Sequence, residues 1–312
     1  MGIAGRIQKT KTRKGKRHIE DRAPKLIENE KKVLILKGHK TNNVLQECLK
    51  DINSLKRPHA IFFNRKRDLV PFENITPVEQ LSAKLDAGLF VIGSHSKKRP
   101  QNLILGRMFD HHLLDMVELG VQSAKSLHDF KNAKVAAGTK PCLLFAGERF
   151  SSDDTYVRLK SLLIDLFRGE HATAVRLGGF EHALAFTATE AGLHMRSYRV
   201  VTQRSGGRAP RVELEEIGPS LDLVVRRSRL ASDDLFRRAL KQPKQLKAKK
   251  VKNVSDGKLG AQMGRIHMER QDLRKLTTRK LKGLKPGKNA AVEGGAGDVQ
   301  NPMDVQDGEV TT

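Results

Sequence analysis

Residues 89–93, LFVIG, and 142–146, CLLFA, are uninterrupted apolar runs bounded by glycine, proline or charge. Short runs without polar alternation are the mark of strands buried on both faces, and such strands need helices above and below their sheet. That requirement points the chain to an α/β architecture. The segments between the runs supply the helices. Residues 42–55, NNVLQECLKDINSL, open with cap-type asparagines and set Val44, Leu45, Cys48, Leu49 and Ile52 at helical spacing. TPVEQLSAKLDAG follows a β-type run, HAIFFNRKRD, and offers Thr76 as cap, Pro77 at the first helical position and Gly88 as terminator.

In residues 101–118 Leu105, Phe109, Leu113 and Met116 recur at intervals of four, four and three, which predicts a helix with an apolar stripe. SSDDTYVRLKSLLIDLFRG predicts another, with Ser152 or Asp153 as cap and Leu159, Leu162, Leu163 and Leu166 on one face. EHALAFTAT, LHMRSYRVVTQ and RVELEEIG read as strands, the last two joined by the turn RSGGRAP. Helices and strands alternate early and strands cluster late, so the fold class is α/β with mixed sheets. A strand, a helix and further strands occur once before residue 147 and again after it, an echo of internal pseudo-symmetry.

Charge then divides the chain. Lys and Arg outnumber Asp and Glu by 59 to 35, a net +24. Residues 1–25 hold nine bases against two acids, residues 237–288 hold eighteen against three, and residues 289–312 hold five acids and no base. The middle, 26–236, keeps about +7 and most of the apolar residues. It reads as a globular core with cationic appendages and an acidic tip, and a polyanion is the expected partner. The run from Lys11 to Arg17 would also serve as a nuclear-import patch.

Chemistry finds little to stand on. No phosphate-loop, dinucleotide, zincin or nucleophile-elbow motif can be read. His111 and His112 are neighbours, which on a helix point about 100° apart and cannot share a metal. Ser94, His95 and Ser96 are adjacent, whereas catalytic partners meet through the fold. Asp153 and Asp154 are better explained as helix-start residues than as a carboxylate pair. Cys48 and Cys142 are too few for a disulfide framework or a thiolate zinc site. No apolar run approaches the roughly 20 residues of a membrane span. A soluble, intracellular protein is expected, with no cofactor, no metal and no membrane partner.

Two basic elements remain. Lys97, Lys98 and Arg99 lie between the apolar run at 89–93 and the helix expected near Asn102, an arrangement that attracts phosphate oxygens. Arg65, Lys66 and Arg67 also follow an apolar strand, at what could be the same strand-end surface; a merely solvated loop is the alternative. The second element, GAQMGRIHMERQDLRKLTTRKLKGLK, sets Met263, Ile266, Leu273 and Leu276 as a seam among Arg265, His267, Arg270, Arg274, Lys275, Arg279, Lys280, Lys282 and, just beyond, Lys285. As an amphipathic helix it would dock its seam on protein and meet RNA with its cations, ahead of a solvated tail or a membrane-surface helix. With twelve Phe, two Tyr and no Trp, base stacking is disfavoured and contact with phosphates of folded RNA is favoured.

KRPHAIFFNRKRDLVPFEN, GSHSKKRPQNLILGRMFDHHLLDMVELG, GTKPCLLFAGERF with LKSLLIDLFRG, and GRIHMERQDLRKLTTRKLKGLK, in this order and spacing, resemble the Brix-domain family of ribosome assembly factors. The likeness runs from the N-terminal arm to about residue 285. It implies a basic arm at 1–27, a Brix domain at 28–235 built of two similar α/β halves like the anticodon-binding domain of some aminoacyl-tRNA synthetases, a basic extension at 236–288 and an acidic tail at 289–312. It further implies a non-catalytic nucleolar factor that binds rRNA and large-subunit pre-rRNA. Its expected partners are the regulator of ribosome synthesis, as a heterodimer, and 5S rRNA with its two accompanying ribosomal proteins, which it would bring into the large-subunit precursor. The rival readings are an RNA-modifying or nucleotide-dependent enzyme without a recognisable motif, and a chromatin or transcription factor.

Overall fold

The structure, a computed structural model, describes residues 10–268 except 24, 171, 173–174, 177–178, 208–209, 247–250 and 258–260. The chain divides into two compact units between residues 247 and 248. In the first unit the elements run α1 (Arg13–Arg22), β1 (Val33–Gly38), α2 (Asn43–Lys56), β2 (Ala60–Arg67), α3 (Thr76–Leu85), β3 (Leu89–Ser94), β4 (Asn102–Phe109), β5 (His112–Lys125), β6 (Cys142–Ala146), α4 (Arg149–Ser152), α5 (Asp154–Phe167), β7 (His182–Ala188), β8 (Leu193–Gln203), β9 (Arg211–Glu216), β10 (Ser220–Arg229) and α6 (Asp233–Ala239).

Ten strands form one sheet in the order β2-β1-β3-β4-β5-β10-β8-β7-β6, with β9 pairing β8. β1 is parallel to β2 and β3, and β6 is parallel to β7; the described pairs between β3 and β10 are antiparallel. The order β1-β3-β4-β5 is mirrored by β6-β7-β8-β10. The echo in the sequence is therefore a pseudo-two-fold between β5 and β10, and the two halves share one continuous sheet.

On one face α2 and α5 pack side by side over both halves, burying Leu45, Leu49, Leu159 and Leu163 against Val91, Leu105, Leu119, Phe186 and Met195. On the other face α3 covers Leu34, Phe90, Ile92, Ile104 and Met116; this second cluster holds first-half residues alone. Strands β1 and β3 are thus buried on both faces, as the apolar run at 89–93 requires. The expected helices at 42–55 and 154–167 form, capped by Asn42 and Asp153. Helix α3 begins one residue earlier than expected: Thr76 is its first residue, its N–H received by the Asn74 side chain at 3.1 Å. It ends at Asp86, which takes the left-handed conformation (φ 53°) in place of Gly88.

The helix expected over 101–118 is instead the β4-β5 hairpin. Its apolar residues satisfy helical spacing because β4, like β3, buries residues on both faces, so no alternation marks it as a strand. Gly106 lies opposite Phe90 of β3, where a Cβ would sit 2.2 Å from the ring. The chain reverses at Asp110 and His111, both at positive φ (51° and 62°), a two-residue turn without the Asn-Gly or Asp-Gly signature. His111 and His112 accordingly stand at a hairpin tip. Residues 112–118 of β5 fall within that expected helix, while strands β1 and β10 and helices α1 and α6 have no counterpart in the sequence reading.

The second unit contains the antiparallel pair β11 (Val254–Asp256) and β12 (Gln262–Gly264). Met263, expected to begin the amphipathic seam of a helix, therefore lies in a strand. Gly257 follows β11 and Gly264 is the last residue of β12, and glycine disfavours a helix there. Ile266 and Met268 are 84% and 74% exposed, and Leu273 and Leu276 lie outside the described residues.

Candidate nucleic-acid interface

Because β1, β2 and β3 are parallel, their C-terminal ends emerge on one edge of the sheet. The register puts Lys66 of β2 beside Lys37 of β1, and Lys37 beside Gly93 of β3. Between Leu36 and Lys37 the β1-β2 register slips: Leu36 faces Phe63 and Lys37 faces Lys66, so Asn64 and Arg65 bulge from the ladder. Arg65 and Lys66 are exposed, while Arg67 is half-buried with its guanidinium 5.0 Å from the Phe63 ring.

The loop after β3 closes over the same edge. His95 N–H donates to the Lys40 carbonyl at 2.8 Å, and Gln101 N–H donates to His95 Nδ1 at 3.1 Å. Ser96 and Arg99 exchange backbone hydrogen bonds of 3.1 and 3.2 Å, and the Ser96 hydroxyl also accepts from Arg99 N–H. This closed turn projects Lys97 and Lys98 into solvent. No helix N-terminus stands behind them, since Asn102 opens a strand; the cations act with ordered backbone and not with a helix dipole. Arg99 turns inward to Glu118 of β5, at 3.2 Å. Glu118 is wholly buried and also receives Arg227, whose guanidinium stacks 3.7 Å from the Phe72 ring. Arg226 of β10 holds the loop from below, donating to the Pro100 carbonyl at 2.8 Å and to Asn102 Oδ1 at 3.3 Å. Arg226 lies over Gly120, where a Cβ would come within 2.4 Å of its Nε.

The five cations at this edge that sequence reading singles out and the structure brings together are Arg65, Lys66, Arg67, Lys97 and Lys98, with Arg99 as their anchor. Sequence reading missed Lys37. Lys37 is 5% exposed, and its ammonium donates to Oδ1 of the exposed Asn64 at 2.7 Å and lies 5.2 Å from the Phe62 ring. Burial, then Lys50 and Lys66, hold its pKa below the ordinary lysine value. A lysine ending the apolar run VLILK was the signal available. The edge thus concentrates like charge with no described carboxylate paired to Lys37, Lys66, Lys97 or Lys98, which suits a phosphate backbone.

The other sequence candidates belong to the second unit or lie outside the described residues. Arg265 and His267 belong to the second unit, both exposed; Arg265 N–H donates to the Asn253 carbonyl at 2.7 Å, and His267 Nε2 is 3.1 Å from Asn253 Oδ1. Arg270, Arg274, Lys275, Arg279, Lys280, Lys282 and Lys285 lie outside the described residues. Among the described residues no group of three or more His, Cys, Asp or Glu side chains is placed to hold a metal, and no helix is long and apolar enough to cross a membrane. The Cys48 thiol is pushed up to about 12 by burial and by Asp51, and burial takes His182, whose Nε2 lies 3.0 Å from Ser197 Oγ, down to about 4.

A Brix domain model matches residues 38–227. The "Ribosome production factor 2 homolog" of Homo sapiens is 51% identical over 264 residues, covering 85% of this chain and 86% of its own length. The "Ribosome biogenesis protein RPF2" of Saccharomyces cerevisiae is 39% identical over 306 residues, covering 94% and 89%. A solved structure, described as a "probable ribosomal biogenesis protein from Aeropyrum pernix K1", aligns with 65% of this chain and 99% of its own at 13% identity and a TM-score of 0.40.

Proposed function

Because the chain belongs to the Brix-domain family, among the ribosome production factor 2 homologues, and so to ribosome biogenesis, we propose that it acts as a non-catalytic rRNA-binding assembly factor. It grips folded RNA by its phosphates at the shared C-terminal edge of β1, β2 and β3. It works in the nucleolus as a heterodimer with the regulator of ribosome synthesis, and recruits 5S rRNA with its two ribosomal proteins to the large-subunit precursor. The Brix domain spans 28–235, between a basic arm at 1–27 and a basic extension at 236–288 that carries further RNA-binding cations at Arg265, His267, Arg270, Arg274, Lys275, Arg279, Lys280, Lys282 and Lys285; residues 289–312 form an acidic tail.

The observation that carries this reading is the convergence of Lys37, Lys66, Lys97 and Lys98 on one edge from two strands and the ordered loop that follows a third. The domain limits are supported by the start of β1 at Val33 and by Ala231 N–H, which donates to the buried Asp115 at 2.8 Å. The edge site is tested by K97E/K98E in the full chain, titrated with folded 5S rRNA at several salt concentrations. Each phosphate that the variant no longer neutralises lowers the log-log salt slope by roughly 0.7 to 0.9, so affinity and slope should both fall with the thermal transition unchanged. Unaltered slope and affinity would remove the edge from the mechanism.

A further inference from the structure

Two cationic segments distant in sequence meet at the other end of the sheet. β1 spans six residues, so at about 3.3 Å per residue its two ends lie roughly 20 Å apart. Residues 25–32 approach the N-terminal end, where Lys31 Nζ lies 2.9 Å from Asp165 of α5. Helix α6 reaches the same place from the opposite end of the unit. The Phe236 ring lies 5.1 Å from the Arg107 guanidinium and 3.4 Å from that of Arg158, which pairs with Asp233 at 2.8 Å. A cleft of about 650 Å³ is lined by both segments, by Asp21, Arg22 and Lys25 of the first and by Phe236, Ala239 and Leu240 of the second.

Helix α1, at the rim of this cleft, buries no residue. Thr12 caps it and Arg22 donates to the Ala83 carbonyl of α3. Arg13, Lys14, Lys16 and Arg17 are all exposed, and Arg17 stands four residues from Arg13 and three from Lys14. Their described carboxylate partner is Glu20, 3.9 Å from Lys16 with both side chains more than 60% exposed, a pair of little worth. A ten-residue helix with no buried face and like charges one turn apart is marginal alone. In and just after α6, Arg237, Arg238 and Lys241 are exposed, with no described carboxylate paired to them. The cleft itself is of mixed charge, with Glu28, Asp86 and Asp110 in its walls, so it suits no small anion. The excess positive charge is on the rims.

We infer that α1 and the end of α6 form a second RNA-backbone site, which takes a different RNA segment from the edge carrying Lys97 and Lys98, so that the domain bridges two segments. This rests on the RNA-binding reading above. Asp21 and Arg22 of α1 and Phe236 and Ala239 of α6 line one cleft, so the exposed cations of the two helices flank it within the reach of one double-helical backbone. Binding supplies the counter-charge that α1 lacks.

The test places a photo-crosslinking amino acid at Arg17, at Arg238 or at Lys98 of the full chain, with a folded large-subunit rRNA transcript as probe and the crosslinked nucleotides read by sequencing. Crosslinks from positions 17 and 238 should fall in one stem, and those from 98 in another. Crosslinks from 17 and 238 in separate stems, in the stem touched by 98, or onto an acidic protein alone would overturn the inference. Loss of the crosslink at 98 alone would count against the edge site while leaving the rim site standing. As a second readout, hydrogen exchange across residues 13–22 should slow on adding the transcript, and R13E/K14E/R17E should abolish that slowing.

Discussion

Arg99, at the foot of the basic loop, lies 3.2 Å from the wholly buried carboxylate of Glu118, nineteen positions along the chain. Arg227 reaches the same carboxylate oxygen from β10, and the other oxygen has no hydrogen-bond partner among the described residues. The two guanidiniums are partly exposed and can regain water, whereas Glu118 cannot. Removing both cations in R99A/R227A should therefore cost about 3–5 kcal/mol, the usual penalty of a stranded buried charge. E118Q should cost less. Urea denaturation of the two variants checks the order; the reverse order would mean that Glu118 is not held as a charged anchor.

Lys37 opposes folding at neutral pH. Burial, reinforced by Lys50 and Lys66, places its folded pKa below the 10.5 of an unfolded lysine. In the interval between the two values the unfolded chain binds more protons, so stability rises with pH through it. K37M should stabilise the domain at pH 7 by roughly 1 kcal/mol, in the range of ordinary stabilising substitutions, and should flatten that alkaline rise. Lys56 shifts in the same direction, again chiefly through burial, so the informative quantity is the difference between K37M and the parent across pH. The same variant should bind folded rRNA more weakly. A stabilised variant with unchanged RNA affinity would leave Lys37 outside the edge site.

Helices α2 and α5 were legible because each buries a single face, and one apolar stripe with a capping Asn42 or Asp153 is a local signal. Strand β4 was not, because burial on both faces erases the two-residue period, and Leu105, Phe109, Leu113 and Met116 then fit a helix by accident. The turn at Asp110 and His111 would have corrected the reading had it carried glycine. The edge was half legible: basic residues following apolar runs marked Lys66 and Lys97, but parallel register decides that they meet, and Lys37 joins them only through pairing with β2 and β3. The partners of Arg99 come from β5 and β10, and no spacing within the loop announces them.

Gly120 separates stability from loop position. An alanine there would bring its Cβ against the far end of the Arg226 side chain, which can swing aside at little cost. Once displaced, Arg226 no longer holds Pro100 and Asn102, and the turn bearing Lys97 and Lys98 loses its support. G120A should lower the thermal transition by only a few degrees while weakening rRNA binding several-fold. A calorimetric scan beside a binding titration distinguishes this from general unfolding, in which both would fall together.

Arg107 joins elements that sequence keeps far apart. From β4 its guanidinium donates to Asp115 of β5 at 2.9 Å and to Ser161 and Asp165 of α5 at 3.0 Å each, and α6 lays Phe236 against it. Asp115 is 1% exposed, while Asp165 is partly exposed and keeps Lys31 as a second partner. Loss of Arg107 thus strands one carboxylate far more than the other. R107M should destabilise the domain by about 3–5 kcal/mol, and D115N added to it should recover part of that loss, because the stranded charge is gone. D165N added instead should recover little. Denaturant titrations of the single and double variants measure both differences; equal rescue by the two would show that the hub acts through packing of α5 and not through the buried charge. Since α5 belongs to the second half and β4 to the first, the same experiment reports how firmly the halves are locked and how well the sheet holds its edge cations in place.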